Sequence, residues 1–283
     1  MAFSGFIQPD PELEGLKDPN EKLRLPIYSG YKALRRDGVN FLGRNRIFDD
    51  IHKRLKGYRM AYEDQCSAQY YFDLVQTLRD FCGEYDRVVE VGVYMGGATT
   101  IFAGCADRFD FDIDLVDIHA GFLRYAYERA RRLYPEAAGR IRLFHGDLPA
   151  YVNAVLSQET AGKSIVHHDG SHSFNQVVKD MASLSFARER LHAIIAQDTN
   201  LRGTIEHMNF VDMALYAVFG LDLNYAPIGA VHEPHDTRTS PNSYQGNYVA
   251  PGQYEGFVLP MAINEFRYPH PTIGLESLLS QAA

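Results

Sequence analysis

Two short clusters in this chain carry residue types that do acid–base and cation chemistry. One is Asp169-Gly170-Ser171-His172 and the other is Gln197-Asp198. A histidine, titrating near pH 6.5 in water, exchanges a proton around neutrality and serves as a general base. Carboxylate and amide oxygens are the donors that Mg2+ takes, with water completing its octahedron. Each cluster follows a short apolar run, Ser164–His168 and Ala193–Ala196, that reads as a strand. Neighbouring parallel strands end at one rim about 5 Å apart. Asp169 and Asp198 are therefore expected to reach one cation, with His172 nearby to exchange a proton. The same residues also suit plainer work: Ser171 or Ser173 as a helix N-cap with His172 at the helix start, and the aspartates as caps or pocket lining.

A second set lies upstream, in Val88-Val89-Glu90-Val91-Gly92-Val93-Tyr94-Met95-Gly96-Gly97-Ala98-Thr99-Thr100. A β-branched run ends in an acid, and glycines follow where a strand must turn sharply into a helix headed by Thr99. That helix directs free N–H groups into the crevice above the strand end. The glycine spacing is wrong for a dinucleotide, because Tyr94 stands where G-x-G-x-x-G needs its second glycine. No G-x-x-x-x-G-K-[ST] is present either. Asp117 ends the next strand, placed to accept hydrogen bonds from ribose hydroxyls. Two carboxylates and no phosphate-binding cation point to a cofactor with ribose hydroxyls and positive charge.

The elements that must hold these clusters alternate. Strands are expected at Arg87–Val91, Phe111–Val116, Ile141–Phe144, Ser164–His168, Ala193–Ala196, Asn224–Ile228 and Gly256–Ala262. Amphipathic helices lie between the earlier ones, the last from about Ile205 to Phe219. This predicts an α/β fold, a Rossmann-like, doubly wound, mostly parallel sheet of seven strands. Residues 1–75 read as an irregular arm and a mostly helical cap, and 76–283 as the cofactor-binding domain. The long connection at 229–255, with its tyrosines and histidines, reads as a lid, binding loop or subunit contact.

The motif order resembles that of class I S-adenosylmethionine-dependent methyltransferases. In that family the E/D-x-G-x-x-x-G turn borders the methionine end, and the acid after the second strand holds the ribose. The resemblance implies cofactor contacts at Glu90, Gly92, Tyr94, Gly96, Thr99 and Asp117, and at Asp147 near the adenine. The later clusters resemble the macrocin O-methyltransferase and cephalosporin-tailoring group, which methylates sugars and natural products with metal assistance. That group carries Asp-x-x-His after strand four and an acidic pair after strand five. The resemblance implies Asp169, Gln197 and Asp198 on Mg2+ and Asp169 and His172 in catalysis. Gln197 stands where the group has an acid, so the site has one negative charge fewer. That substitution keeps two alternatives open: metal-independent transfer to nitrogen or a phenol, and cofactor binding without turnover.

Composition narrows the partners. The net charge is −8, with no concentrated basic face, which argues against nucleic acid. No apolar run approaches the length of a membrane span. Three cysteines without a CxxC suit a reducing compartment, and the expectation is a cytoplasmic protein acting on a small-molecule acceptor. A long arm and loop favour a symmetric homo-oligomer.

Overall fold

A computed structural model describes residues 4–27, 31–203, 209–232 and 248–267. Its centre is an eight-stranded sheet in the order β1-β4-β3-β2-β5-β6-β10-β8. The strands are β1 (Gly5–Ile7), β2 (Arg87–Val91), β3 (Asp112–Asp117), β4 (Ile141–His145), β5 (Ser164–His168), β6 (Leu191–Gln197), β8 (Ala226–Val231) and β10 (Tyr254–Pro260). β2 to β6 pair in parallel, while β1, β8 and β10 are antiparallel to their neighbours. Two further short strands, β7 (Leu201–Arg202) and β9 (Tyr248–Val249), form a separate ladder.

The doubly wound architecture expected from the alternation is present, with one strand more than the seven read. The extra one is β1, three residues of the N-terminal arm that register against β4. Three residues are too few to show a period, and β1 is fixed by contact, with Phe6 set edge-on against Phe144. The last helix among the described residues is Val211–Phe219; the expected start near Ile205 falls outside them.

Chain order runs from β2 outward to β3 and β4, then returns to β5 and β6 on the other side. The reversal between β2 and β5 is the switch point, where open α/β sheets leave a crevice at the strand ends. Two apolar layers hold the sheet. Helices Arg46–Gly57, Ala68–Asp80, Gly97–Phe109 and Ala120–Leu133 cover one face, and Leu148–Ala154, Phe174–Leu184 and Val211–Phe219 the other. Helix Ala68–Asp80 runs through residue 75, the boundary expected between cap and domain. Its Tyr70, Leu74 and Leu78 share one core with Val88, Ile165 and Ile195, so apolar burial joins cap and sheet.

Candidate active site

The turn after β2 is built by backbone contacts. Gly92 has φ of 80° and donates its N–H to the Val116 carbonyl at 2.9 Å. A Cβ there would lie 2.2 Å from the carbonyl oxygen of Asp169. Asp169 in turn donates its N–H to the Val91 carbonyl at 2.8 Å. The two strand-end loops therefore lie directly on one another. The first glycine is demanded by chain packing, rather than by close approach of a ligand as the motif alone suggests. Gly96, with φ of 70°, heads helix Gly97–Phe109, and a Cβ there would meet Ala126 at 3.0 Å.

Glu90 is buried and serves the protein directly. Its carboxylate accepts from the Thr99 N–H at 3.1 Å and the Thr99 hydroxyl at 2.6 Å. Gly96 has no side chain to cap that helix, so Glu90 does it from the strand. Burial, with the nearby charges of Asp169 and Asp117, raises its pKa well above the usual carboxylate range. Asp117 accepts from Val93 N–H at 3.0 Å and His119 N–H at 2.8 Å, and burial raises its pKa too. Each of its oxygens keeps a second lone pair, and Asp117 lines the crevice. Tyr94, also at positive φ, packs edge-on to Phe122 on the cavity wall. Asp147 also lines the cavity and caps helix Leu148–Ala154 through the Ala150 N–H.

The second constellation assembles at the ends of β5 and β6. His172 Nε2 lies 2.9 Å from Asp198 Oδ2 and 3.6 Å from Asp169 Oδ1. One ligand-type atom from each of the three residues falls within 4.8 Å of the others. Asp198 adopts φ of 60°, uncommon for a residue with a Cβ. Desolvation opposes charge on His172, but Asp198 and Asp169 outweigh it and lift its pKa to about 10. Burial lifts Asp169 to about 6, with the charge on Asp198 adding to the rise and His172 opposing it. Gln197 faces the same cavity; it is 5% exposed, and its Oε1 has no hydrogen-bond partner among the described residues. Asp169, His172 and Asp198 therefore converge, as their strand-end positions predict, and Gln197 lines the same cavity.

Two residues that no local pattern announces bind the cap to the sheet domain. Glu255 on β10 accepts from Ser67 N–H at 2.8 Å, from the Ser67 hydroxyl, and from Ala230 N–H at 3.1 Å. Burial raises its pKa to about 7 against those hydrogen bonds. Arg129, fully buried, donates to Met95 O at 2.8 Å, Glu63 O at 3.1 Å and Asp64 Oδ1 at 2.6 Å. It ties the glycine turn to the cap. In the sequence its only visible signal is an arginine on the apolar side of an otherwise amphipathic helix.

Cap, turn and strand ends enclose a cavity of about 1980 Å³. Sites for one small molecule are usually about 300–1,000 Å³, so this one has room for a cofactor and an acceptor together. Its walls carry Asp117, Asp169 and Asp198, an environment that favours positive charge.

Residues 89–198 match the family model of a methyltransferase domain. That stretch contains Glu90, Gly92, Asp117, Asp169, His172 and Asp198, so the segment carrying the site is similar to a methyltransferase domain and lies on a Rossmann-like sheet. Solved structures of similar architecture include a Klebsiella pneumoniae protein assigned as an O-methyltransferase, 16% identical over 81% of this chain and 96% of that one, with a TM-score of 0.48. Another is the O-methyltransferase TomG of Streptomyces achromogenes, involved in tomaymycin synthesis and solved with S-adenosylmethionine. It is 12% identical over 83% of this chain and 98% of that one, with a TM-score of 0.48. No curated protein matches the sequence.

Proposed function

We propose that this chain is an S-adenosylmethionine-dependent O-methyltransferase acting on a hydroxyl of a small molecule, of the sugar or secondary-metabolite kind, with help from a divalent cation. The observation that carries the reading is the contact between Gly92 and Asp169, which places the cofactor turn and the acid–histidine cluster in one crevice. Glu90 shapes the helix head, Asp117 faces the ribose, and the acidic wall suits a sulfonium. In the reaction the methyl carbon leaves sulfur and bonds to the acceptor oxygen. The sulfonium becomes a neutral thioether, and the hydroxyl proton must go to a base.

An alcohol proton has a pKa near that of water, about 15.7, so a neutral hydroxyl needs activation. A divalent cation supplies it by stabilising the alkoxide. The residues fit such an ion: two carboxylates converge with an imidazole, and an unpartnered amide oxygen lines the same wall. In the magnesium-type reading Asp169, Asp198 and Gln197 hold the ion and His172 takes the proton. One observation favours a second role for His172: its Nε2 points at both carboxylates, where a ligand would point.

Calorimetry with S-adenosylmethionine, followed by methyl transfer to a panel of glycosides, catechols and amines, tests the proposal. Cofactor binding in the micromolar range and a cation-dependent methyl ether product are expected. No cofactor binding overturns it. Turnover on amines or phenols that survives both chelation and Asp198→Ala would select the metal-independent alternative.

A further inference from the structure

The three converging side chains are not an all-oxygen set. We infer that the strand-end cluster takes a transition dication of the Fe2+ or Zn2+ type in preference to Mg2+, with His172 Nε2 as a ligand beside Asp169 and Asp198. The inference rests on the cation-assisted reading above and changes both the identity of the ion and the work of the histidine.

The distances carry it. Two ligands bonded at about 2.1 Å to one ion lie about 3.0 Å apart when cis on an octahedron and about 3.4 Å apart on a tetrahedron. The Nε2 separations of 2.9 Å and 3.6 Å bracket those values. A base that is to meet an acceptor hydroxyl has no need to sit between two carboxylates. A third ligand does.

The donor chemistry agrees. Imidazole suits zinc, iron and nickel, whereas Mg2+ prefers oxygen and gives up water reluctantly. At Gln197 the chain has a neutral amide, so a hard ion loses charge attraction there while an ion that binds nitrogen retains its strongest contact. The Gln197 oxygen is independent evidence that this wall is made for a guest. It belongs to a side chain 5% exposed, lines the cavity and has no partner among the described residues. His172 Nε2 likewise makes no well-formed hydrogen bond.

The test uses the full chain, stripped with chelator and titrated with Mn2+ under electron paramagnetic resonance. Pulsed spectra of bound Mn2+ are expected to show coupling to a nitrogen nucleus. Zn2+ should displace Mn2+ near stoichiometrically, and Mg2+ should displace Zn2+ only in large excess. His172→Ala should abolish the coupling and weaken Mn2+ by about 10-fold or more, changing Mg2+ affinity by less than about threefold. Gln197→Glu should narrow the gap between the two ions. Mn2+ bound without nitrogen coupling, Mg2+ competing at parity, or no binding of either ion overturns the inference. The wild-type spectrum decides even where a variant fails to fold. S-adenosylmethionine calorimetry on the same sample separates the two readings. Nitrogen-coupled Mn2+ without cofactor binding sinks the methyltransferase proposal alone, and cofactor binding without nitrogen coupling sinks this one alone.

Discussion

Gly92→Ala is the substitution with the most to say about how the site is built. Gly92 sits at φ of 80°, and a Cβ would lie 2.2 Å from Asp169 O, 2.5 Å from Gly170 Cα and 2.6 Å from Asp169 C. All three are backbone atoms, so no side chain can swing aside. The left-handed conformation costs a residue with a Cβ about 1–2 kcal/mol, and forcing the loops apart adds about 1–3 kcal/mol. Reduced freedom of the unfolded chain returns about 0.4–1 kcal/mol. A net loss of about 1–5 kcal/mol, centred near 3, is expected. Gly83 supplies the control: its φ is 85°, and nothing lies within 4 Å of a Cβ built there. Gly83→Ala shares the backbone strain and lacks the collision, so it should cost about 1 kcal/mol. Urea unfolding of both variants measures the difference. Because Asp169 must move to admit the methyl group, Gly92→Ala should also weaken cation binding in proportion, which a Mn2+ titration reads. Equal destabilisation of the two variants, within about 0.5 kcal/mol, would refute the argument that loop-on-loop contact fixes this glycine.

Two other perturbations follow from the cap. Glu255 ionises at about 7 in the folded chain against 4.5 ordinarily, so folding favours its protonated form. Stability from this group is full below pH 4.5 and declines as the pH rises through 7, by about 3 kcal/mol at most. Unfolding of the chelator-treated protein between pH 5 and 8 should show that decline, and Glu255→Gln should make it shallower; an unchanged slope argues against the assignment. Arg129→Met strips the buried partner from Asp64 and should cost about 3–5 kcal/mol. Adding Asp64→Asn should recover part of that loss by removing the stranded charge, and strict additivity of the two changes would count against a direct pair.

How far the sequence led can be judged residue by residue. The strand-end positions of Glu90, Asp117, Asp169, His172 and Asp198 were legible because strand ends recur at a regular place in an alternating sheet, so a residue type following a β-branched run carries geometric meaning. β1 was not legible, since three residues carry no period and its place depends on Phe144, far along the chain. The work of Glu90 was hidden for a similar reason: an acid in a glycine turn suggests a ligand, whereas its partner is Thr99 nine residues on. Arg129 and Glu255 gave no local signal, since each acts across separations that only folding closes.

The sequence by itself determined the alternating α/β order, the acidic character of the crevice and which residue types stand at each strand end. Those follow from side-chain polarity and backbone preference, which are local. Tertiary structure decided which atoms meet. It pressed Gly92 onto the Asp169 carbonyl, turned His172 Nε2 between two carboxylates, and closed the cap over the turn through Arg129 and Glu255. Convergence to a few ångströms is set by the register of neighbouring strands and the packing of the layers against them, and no single segment contains either.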